Sequence, residues 1–182
     1  HGDLLRMSAI VILIANVMVM IRLGLVSSFL APSLLVPIAT VFACGILPGI
    51  LMAIYGWRVL NNGGELPMPE VKNPTELKTA VSFGLLYALV VLASAWWQDV
   101  AGNKGVYIVA LASGLTDADA SVLSSLRLFS LEKISDKEAV IAVTLALMAN
   151  LIFKIGLVLS IGGRKLARYA LPGLLAIGGG MA

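Results

Sequence analysis

Five long apolar runs constrain this chain more than any other feature. They cover approximately residues 8–30, 34–57, 79–98, 106–126 and 139–161. A helix needs roughly 20 apolar residues to cross a hydrocarbon core about 30 Å thick. Runs of this length therefore read as membrane-spanning helices. A sixth run, 169–182, has 14 residues. At about 1.5 Å per residue it reaches only about 21 Å, so it reads as a truncated span or a half-helix. Composition agrees: 59% of the 182 residues are hydrophobic and 13% are charged. Soluble domains have roughly 45–50% apolar and about 25% charged residues. The balance excludes a disordered chain, a secreted disulfide scaffold and an ordinary soluble enzyme. The expected fold is all-α: a polytopic bundle of about six membrane elements.

The connections support that division. Residues 59–78 form a polar loop with Asn61-Asn62-Gly63-Gly64, Pro67, Pro69 and Pro74, which mark turns and extended chain. Asn73, Pro74 and Glu76 signal a helix start before the third run. Ser135-Asp136-Lys137-Glu138 reads as a capping box opening the fifth. Aromatic residues near span ends, Tyr55, Trp57, Trp96, Trp97, Tyr107 and Tyr169, fit interfacial anchors. Ala80, Gly84 and Ala88 form a small-residue stripe suited to close helix packing. Cys44 is the one cysteine and His1 the one histidine. No intrachain disulfide or imidazole-rich metal site is possible, and Cys44, inside an apolar run, reads as a packed thiol.

An internal repeat is visible. Arg22-Leu23-Gly24-Leu25-Val26-Ser27-Ser28 parallels Lys154-Ile155-Gly156-Leu157-Val158-Leu159-Ser160. Leu47-Pro48-Gly49-Ile50-Leu51 parallels Leu171-Pro172-Gly173-Leu174-Leu175. The repeat divides the chain into a two-helix unit at 1–58, the remainder of a first repeat, and a four-element unit at 79–182. Duplicated transporters place their sites at such repeat interfaces. The distribution of Lys and Arg leaves open whether 106–126 crosses or is re-entrant. The 127–138 and 162–168 loops carry three basic residues each, so exchanging their sides leaves the count unchanged.

The chemistry concentrates in Ser113-Gly114-Leu115-Thr116-Asp117-Ala118-Asp119-Ala120-Ser121. Two acids inside an apolar run are costly and ordinarily face a cavity or a partner. Asp117 shares a helical face with Ser113, Ser121 and Ser124. Oxygen ligands of this kind suit hard cations such as Mg2+ or Ca2+, which makes Asp117 and Asp119 the candidate metal ligands. A second reading is local: Gly114 ends one half-helix and Thr116 opens another, with Asp119 completing a capping box. Either way a broken helix is expected near Gly114–Asp119. Arg22 and Lys154 are the candidate charge partners. Asn150, one turn before Lys154, extends the same face. Snorkelling to an interface is the alternative for Lys154, and Asn16 reads as a packing or hydrogen-bonding residue. P-loops, dinucleotide fingerprints and serine elbows are absent. Two acids two residues apart do not fit an intramembrane aspartyl dyad, so no enzyme is expected. The net charge of +3 comes without a basic run interleaved with aromatics, so no nucleic-acid partner is expected. The run Arg164-Lys165-Leu166-Ala167-Arg168 reads as a loop facing solvent or lipid headgroups.

With these landmarks the chain resembles a bacterial inner-membrane family. It is similar to the C-terminal module, of unknown function, that accompanies MgtC/SapB-like membrane proteins. Lys72-Asn73-Pro74-Thr75-Glu76-Leu77-Lys78, the Asp117-Ala118-Asp119-Ala120 run, and Ala149-Asn150 with Lys154 leading into Gly162-Gly163-Arg164 carry the resemblance. It implies a multi-pass protein of the bacterial inner membrane and, through neighbouring modules, magnesium or other ion handling. The expected function is a cation transporter or channel module, acting on a divalent metal or protons. Asp117, Asp119, Thr116, Ser113 and Ser121 would meet the ion, with Lys154, Arg22 and Asn150 as charge partners. Mg2+ would be a substrate and not a resident cofactor. The alternative is a non-transporting subunit or regulator that binds another membrane protein. The expected partners are the lipid bilayer and either a second copy or another membrane subunit.

Overall fold

A computed structural model describes residues 2–61, 81, 85, 88 and 105–182. The described residues form helices without strands: α1 Gly2–Leu30, α2 Leu35–Asn61, α3 Gly105–Thr116, α4 Ala118–Ser130, α5 Asp136–Ser160 and α6 Gly163–Met181. A single 3-10 turn, Pro32–Leu34, joins α1 to α2. Its buried Leu34 and the buried Ala31 fill the corner. Three segments are long and apolar enough to cross a membrane: Gly2–Leu30, Pro32–Asn61 and Asp136–Ser160. The expected run at 79–98 and the loop before it lie outside the described residues, apart from helical Val81, Leu85 and Ala88.

Small residues set the helix directions. Phe42 packs on Gly24, Met20 on Gly45, Val17 on Gly49 and Ile10 on Gly56, so α1 and α2 run antiparallel. Met181 meets Gly45 and Ile177 meets Gly49, so α6 runs antiparallel to α2 and parallel to α1. The tightest approach brings Gly180 onto the Cys44 carbonyl and Pro48. Proline has no N–H, so Pro48 releases the carbonyl four residues earlier, that of Cys44. Glycine alone lets a neighbouring helix close over the exposed oxygen. α4 runs alongside α1 in the same direction: Asp119 meets Arg22, and the Ser130 hydroxyl donates to the Leu30 carbonyl at 3.3 Å. α5 lies across α3, α4 and α6.

Several expectations change at this level. The polar connection 127–138 lies at the end of the bundle where α1 finishes, opposite the end where it starts. The run 106–126 is two helices, α3 and α4, folded against each other and not one continuous helix. Helix α6 begins at Gly163, not near residue 169, so Arg164, Lys165 and Arg168 are helical and not a loop. Gly163, at φ +70°, makes the turn from α5 into α6, a backbone conformation that glycine adopts without strain. Cys44 is exposed on the surface of α2, not packed. Its backbone carbonyl faces α6 at Gly180. The two Leu-Pro-Gly segments both lie inside helices, and both glycines meet α1: Gly49 at Val17 and Gly173 at Leu13.

Candidate functional site

The apolar run at 106–126 breaks at Asp117. This residue has extended backbone, φ −146° and ψ 96°, and its Oδ1 accepts from the Ala120 N–H at 3.1 Å. Asp117, and not the expected Thr116, is therefore the N-cap of α4. The reason is local. The Thr116 hydroxyl donates back to the Ser113 carbonyl at 3.1 Å, which keeps Thr116 in the last turn of α3. Gly114 does not end α3 either. It is buried inside the helix because a Cβ there would lie 2.6 Å from both the Cα and the carbonyl oxygen of Ala146. It is the point at which α3 closes on α5.

The chain turns back at this break. In a straight helix Ala110 and Ser121 would be about 16 Å apart along the axis. Here the Ser121 hydroxyl donates to the Ala110 carbonyl at 3.2 Å. The hydroxyl oxygens of Ser113 and Ser121 stand 3.5 Å apart across the fold. Ser113 donates to the Val109 carbonyl, and Ser125 donates to the Ser121 carbonyl. The sequence places Ser113 and Ser121 eight residues apart; the fold makes them neighbours. Each hydroxyl proton is used inside the fold, while the oxygen lone pairs stay free to accept. Ser121 is buried, Asp117 is exposed and Asp119 lies between.

Of the expected charge partners, Arg22 reaches the site. Its guanidinium donates to Asp119 Oδ2, with the two side chains 60% and 40% exposed. Among the described residues Lys154 pairs with no carboxylate. Its Nζ donates to Asn16 Oδ1 at 2.9 Å, and Asn16 Nδ2 donates to the Ile12 carbonyl at 2.8 Å. Asn150 joins Asn16 and Lys154 in lining a cavity of about 20 Å3 between α1, α5 and α6, room for about one water. Asn16 is the residue that sequence reasoning undervalues. Its signal is present: Leu13, Asn16, Met20 and Leu23 share one buried stripe of α1, so a polar side chain there needs a partner. Among the described residues, no three or more His, Cys, Asp or Glu side chains converge.

The cap gives a separable prediction. Asp117→Ala should cost about 1 kcal/mol through loss of the N-cap, whereas Asp117→Asn should be nearly neutral because Asn caps as well as Asp. Unfolding of the purified protein in detergent measures both. Equal losses would show that the charge, and not the cap, holds the break.

A family model described as "Domain of unknown function (DUF4010)" matches residues 1–162. An "Uncharacterized protein" of Aquifex aeolicus (strain VF5) is 32% identical over 130 residues, 71% of this chain and 55% of that protein. The chain thus spans about half the length of that relative. Neither match names an MgtC/SapB-like module. No solved structure matches.

Proposed function

The chain belongs to the DUF4010 family, and from that premise we propose that it is a cation-handling module, a transporter or channel element of the bacterial inner membrane. One observation carries the reading. A folded-back helix pair carries carboxylates at its tip, within a bundle that contains three helices apolar enough to cross a membrane. Within the described residues α3 has 12 residues and α4 has 13, so each described helix reaches about 18–20 Å, short of a core about 30 Å thick. Broken helices of this kind are the means by which non-helical backbone enters a membrane, where it lines a cavity.

The residues assign roles at the tip. Asp117 offers a carboxylate already oriented by its bond to the Ala120 N–H. Ser113 and Ser121 offer lone pairs one fold away. Asp119 is neutralised by Arg22 in the present arrangement. An entering cation competes with Arg22 for Asp119, and Arg22 returns when the ion leaves. An all-oxygen set of this kind favours a hard cation, Mg2+ being the first to test.

Flux into proteoliposomes is the test, with Mg2+, Mn2+, Ca2+ and protons as the probes. The double variant Asp117→Asn, Asp119→Asn is expected to lower flux by at least tenfold while Asn at 117 preserves the cap. Unchanged flux would reject the proposal.

A second reading has an observation of its own: the Asp117 carboxylate and the Ser113, Ser121 and Ser125 hydroxyls all bond within the fold. Under it the chain is a non-transporting subunit whose charges lock helices together. Co-purification of a stoichiometric membrane partner, with no flux for any of the four ions, would favour that role. Neither reading involves a catalytic step.

A further inference from the structure

Among the described residues the two ends of the bundle differ in charge, and the difference appears only once the helices are placed. One end gathers the start of α1, the finish of α2, the finish of α5 and the start of α6. Arg6 stacks 5.5 Å from the ring centre of Tyr169, which ties the start of α1 to the start of α6. Arg58 and Trp57 line a groove with Ile10 and Ile14 of α1, which brings the finish of α2 to the same level. Among the described residues this end carries Arg6, Arg58, Arg164, Lys165 and Arg168 against a single acid, Asp3. Asp3 lies 3.7 Å from Arg6. Arg58, Arg164, Lys165 and Arg168 are exposed.

The opposite end gathers the finish of α1, the finish of α4 and the start of α5. There Arg127, Lys133 and Lys137 are matched by Glu132, Asp136 and Glu138. Asp136 and Glu138 serve their own helix, because both sit in the first turn of α5 and Glu138 completes the capping box with Ser135. At the basic end Arg58 suits the last turn of α2, and Arg6 has Asp3 and Tyr169 beside it, but Arg164 and Lys165 have no such local benefit. Arg164 and Lys165 occupy the first turn of α6, where the helix dipole opposes positive charge. The α6 dipole therefore does not account for their place there.

We propose that the Arg6, Arg58, Arg164, Lys165 and Arg168 rim lies against the anionic phosphate headgroups of the cytoplasmic leaflet. Basic residues beside membrane helices are retained on that side and attracted to its lipids. This fixes the orientation of the bundle. The start of α1 and the α5–α6 turn face the cytoplasm, and the folded-back pair α3–α4 enters from the external face. The inference rests on the membrane reading above and not on transport.

Labelling in a bacterial host tests it. In a Cys44→Ser background, Lys133→Cys and Lys165→Cys each supply one thiol for a membrane-impermeant maleimide. With the outer membrane permeabilised and the inner membrane intact, Lys133→Cys is expected to react and Lys165→Cys to react at least tenfold less until the inner membrane is lysed. The reverse pattern would overturn the orientation. So would equal reaction at both positions in protein that stays in the membrane after alkaline carbonate. Equal reaction in protein that carbonate strips away would instead reject the membrane reading itself. The headgroup contact has its own measurement. The protein should unfold at a higher temperature in phosphatidylglycerol vesicles than in phosphatidylcholine vesicles. Arg164→Gln with Lys165→Gln and Arg168→Gln should remove most of that difference. No difference between the lipids would overturn the contact.

Discussion

Gly114→Ala is expected to be among the most damaging single-methyl changes this fold can receive. The added carbon would lie 2.6 Å from the Cα and carbonyl oxygen of Ala146. Those are backbone atoms of α5, and they cannot rotate aside as a side chain does. Overpacking ordinarily costs about 1–3 kcal/mol. A clash with backbone belongs at the upper end, so a loss of about 3 kcal/mol is expected. Relief requires α3 to move away from α5, which carries the Asp117 break with it. Gly180→Ala should behave similarly, because its Cβ would meet the Cys44 carbonyl that Pro48 leaves without an amide partner. Gly156→Ala is the control: it is exposed, helical, and has nothing within 4 Å of a Cβ. It should be neutral or slightly stabilising, since Ala favours helix over Gly by about 1 kcal/mol. Unfolding in mixed micelles compares the three. If Gly114→Ala matches Gly156→Ala, the close approach of α3 to α5 is wrong.

Separating Arg22 from Asp119 is expected to cost nearly as much, and the size of the loss reports the surroundings of the pair. Asp119→Asn leaves a guanidinium without its carboxylate, and Arg22→Gln leaves the converse. An ion pair in water contributes about 0–1 kcal/mol. A lone charge at the centre of a membrane helix costs about 2.5–3.5 kcal/mol on insertion scales. Each single variant should therefore lose between about 1 and 3 kcal/mol. The exchanged pair, Arg22→Asp with Asp119→Arg, should recover at least half. A coupling below about 1 kcal/mol would place the pair in a wet cavity, and one above about 2 kcal/mol would place it in lipid or protein. Additive losses, with no recovery in the exchanged pair, would show that the two side chains do not act on each other.

Much of this fold is legible in the sequence because membranes simplify the problem. Length and hydropathy locate α2 and α5 within a few residues and α1 except for its first turns, since a helix that must cross about 30 Å leaves a long apolar signature. The break near Asp117 is legible because two acids cannot continue an apolar span without a reason. The capping box at Ser135 and Glu138 is legible because both partners lie within one turn. The sequence alone puts the cap of α4 one residue early. Thr116 and Asp117 both have oxygens able to cap, and the choice turns on a bond from Thr116 back to Ser113 that composition does not show. Hydropathy starts α6 six residues late, because Arg164, Lys165 and Arg168 interrupt the apolar run without interrupting the helix.

The pairing of Lys154 is less accessible still. An acid is the obvious partner for a buried amine, and the sequence offers two. The fold gives Asp119 to Arg22 and leaves Lys154 to Asn16, 138 residues away. Nothing along the chain ranks those partners, because the ranking depends on which helices stand side by side.

The sequence by itself determined that this protein is helical, apolar enough for a membrane, and broken at a pair of acids. Those properties follow from local physics: backbone bonds made within a helix, side-chain transfer into lipid, and capping over one turn. The tertiary structure alone decided that Ser113 meets Ser121, that Asp119 belongs to Arg22, and that five basic residues from three helices share one end. Each depends on helix direction and on how closely two backbones approach. Glycines such as Gly114 and Gly180 set that approach by what they lack, and an absent side chain has no partner written beside it in the sequence.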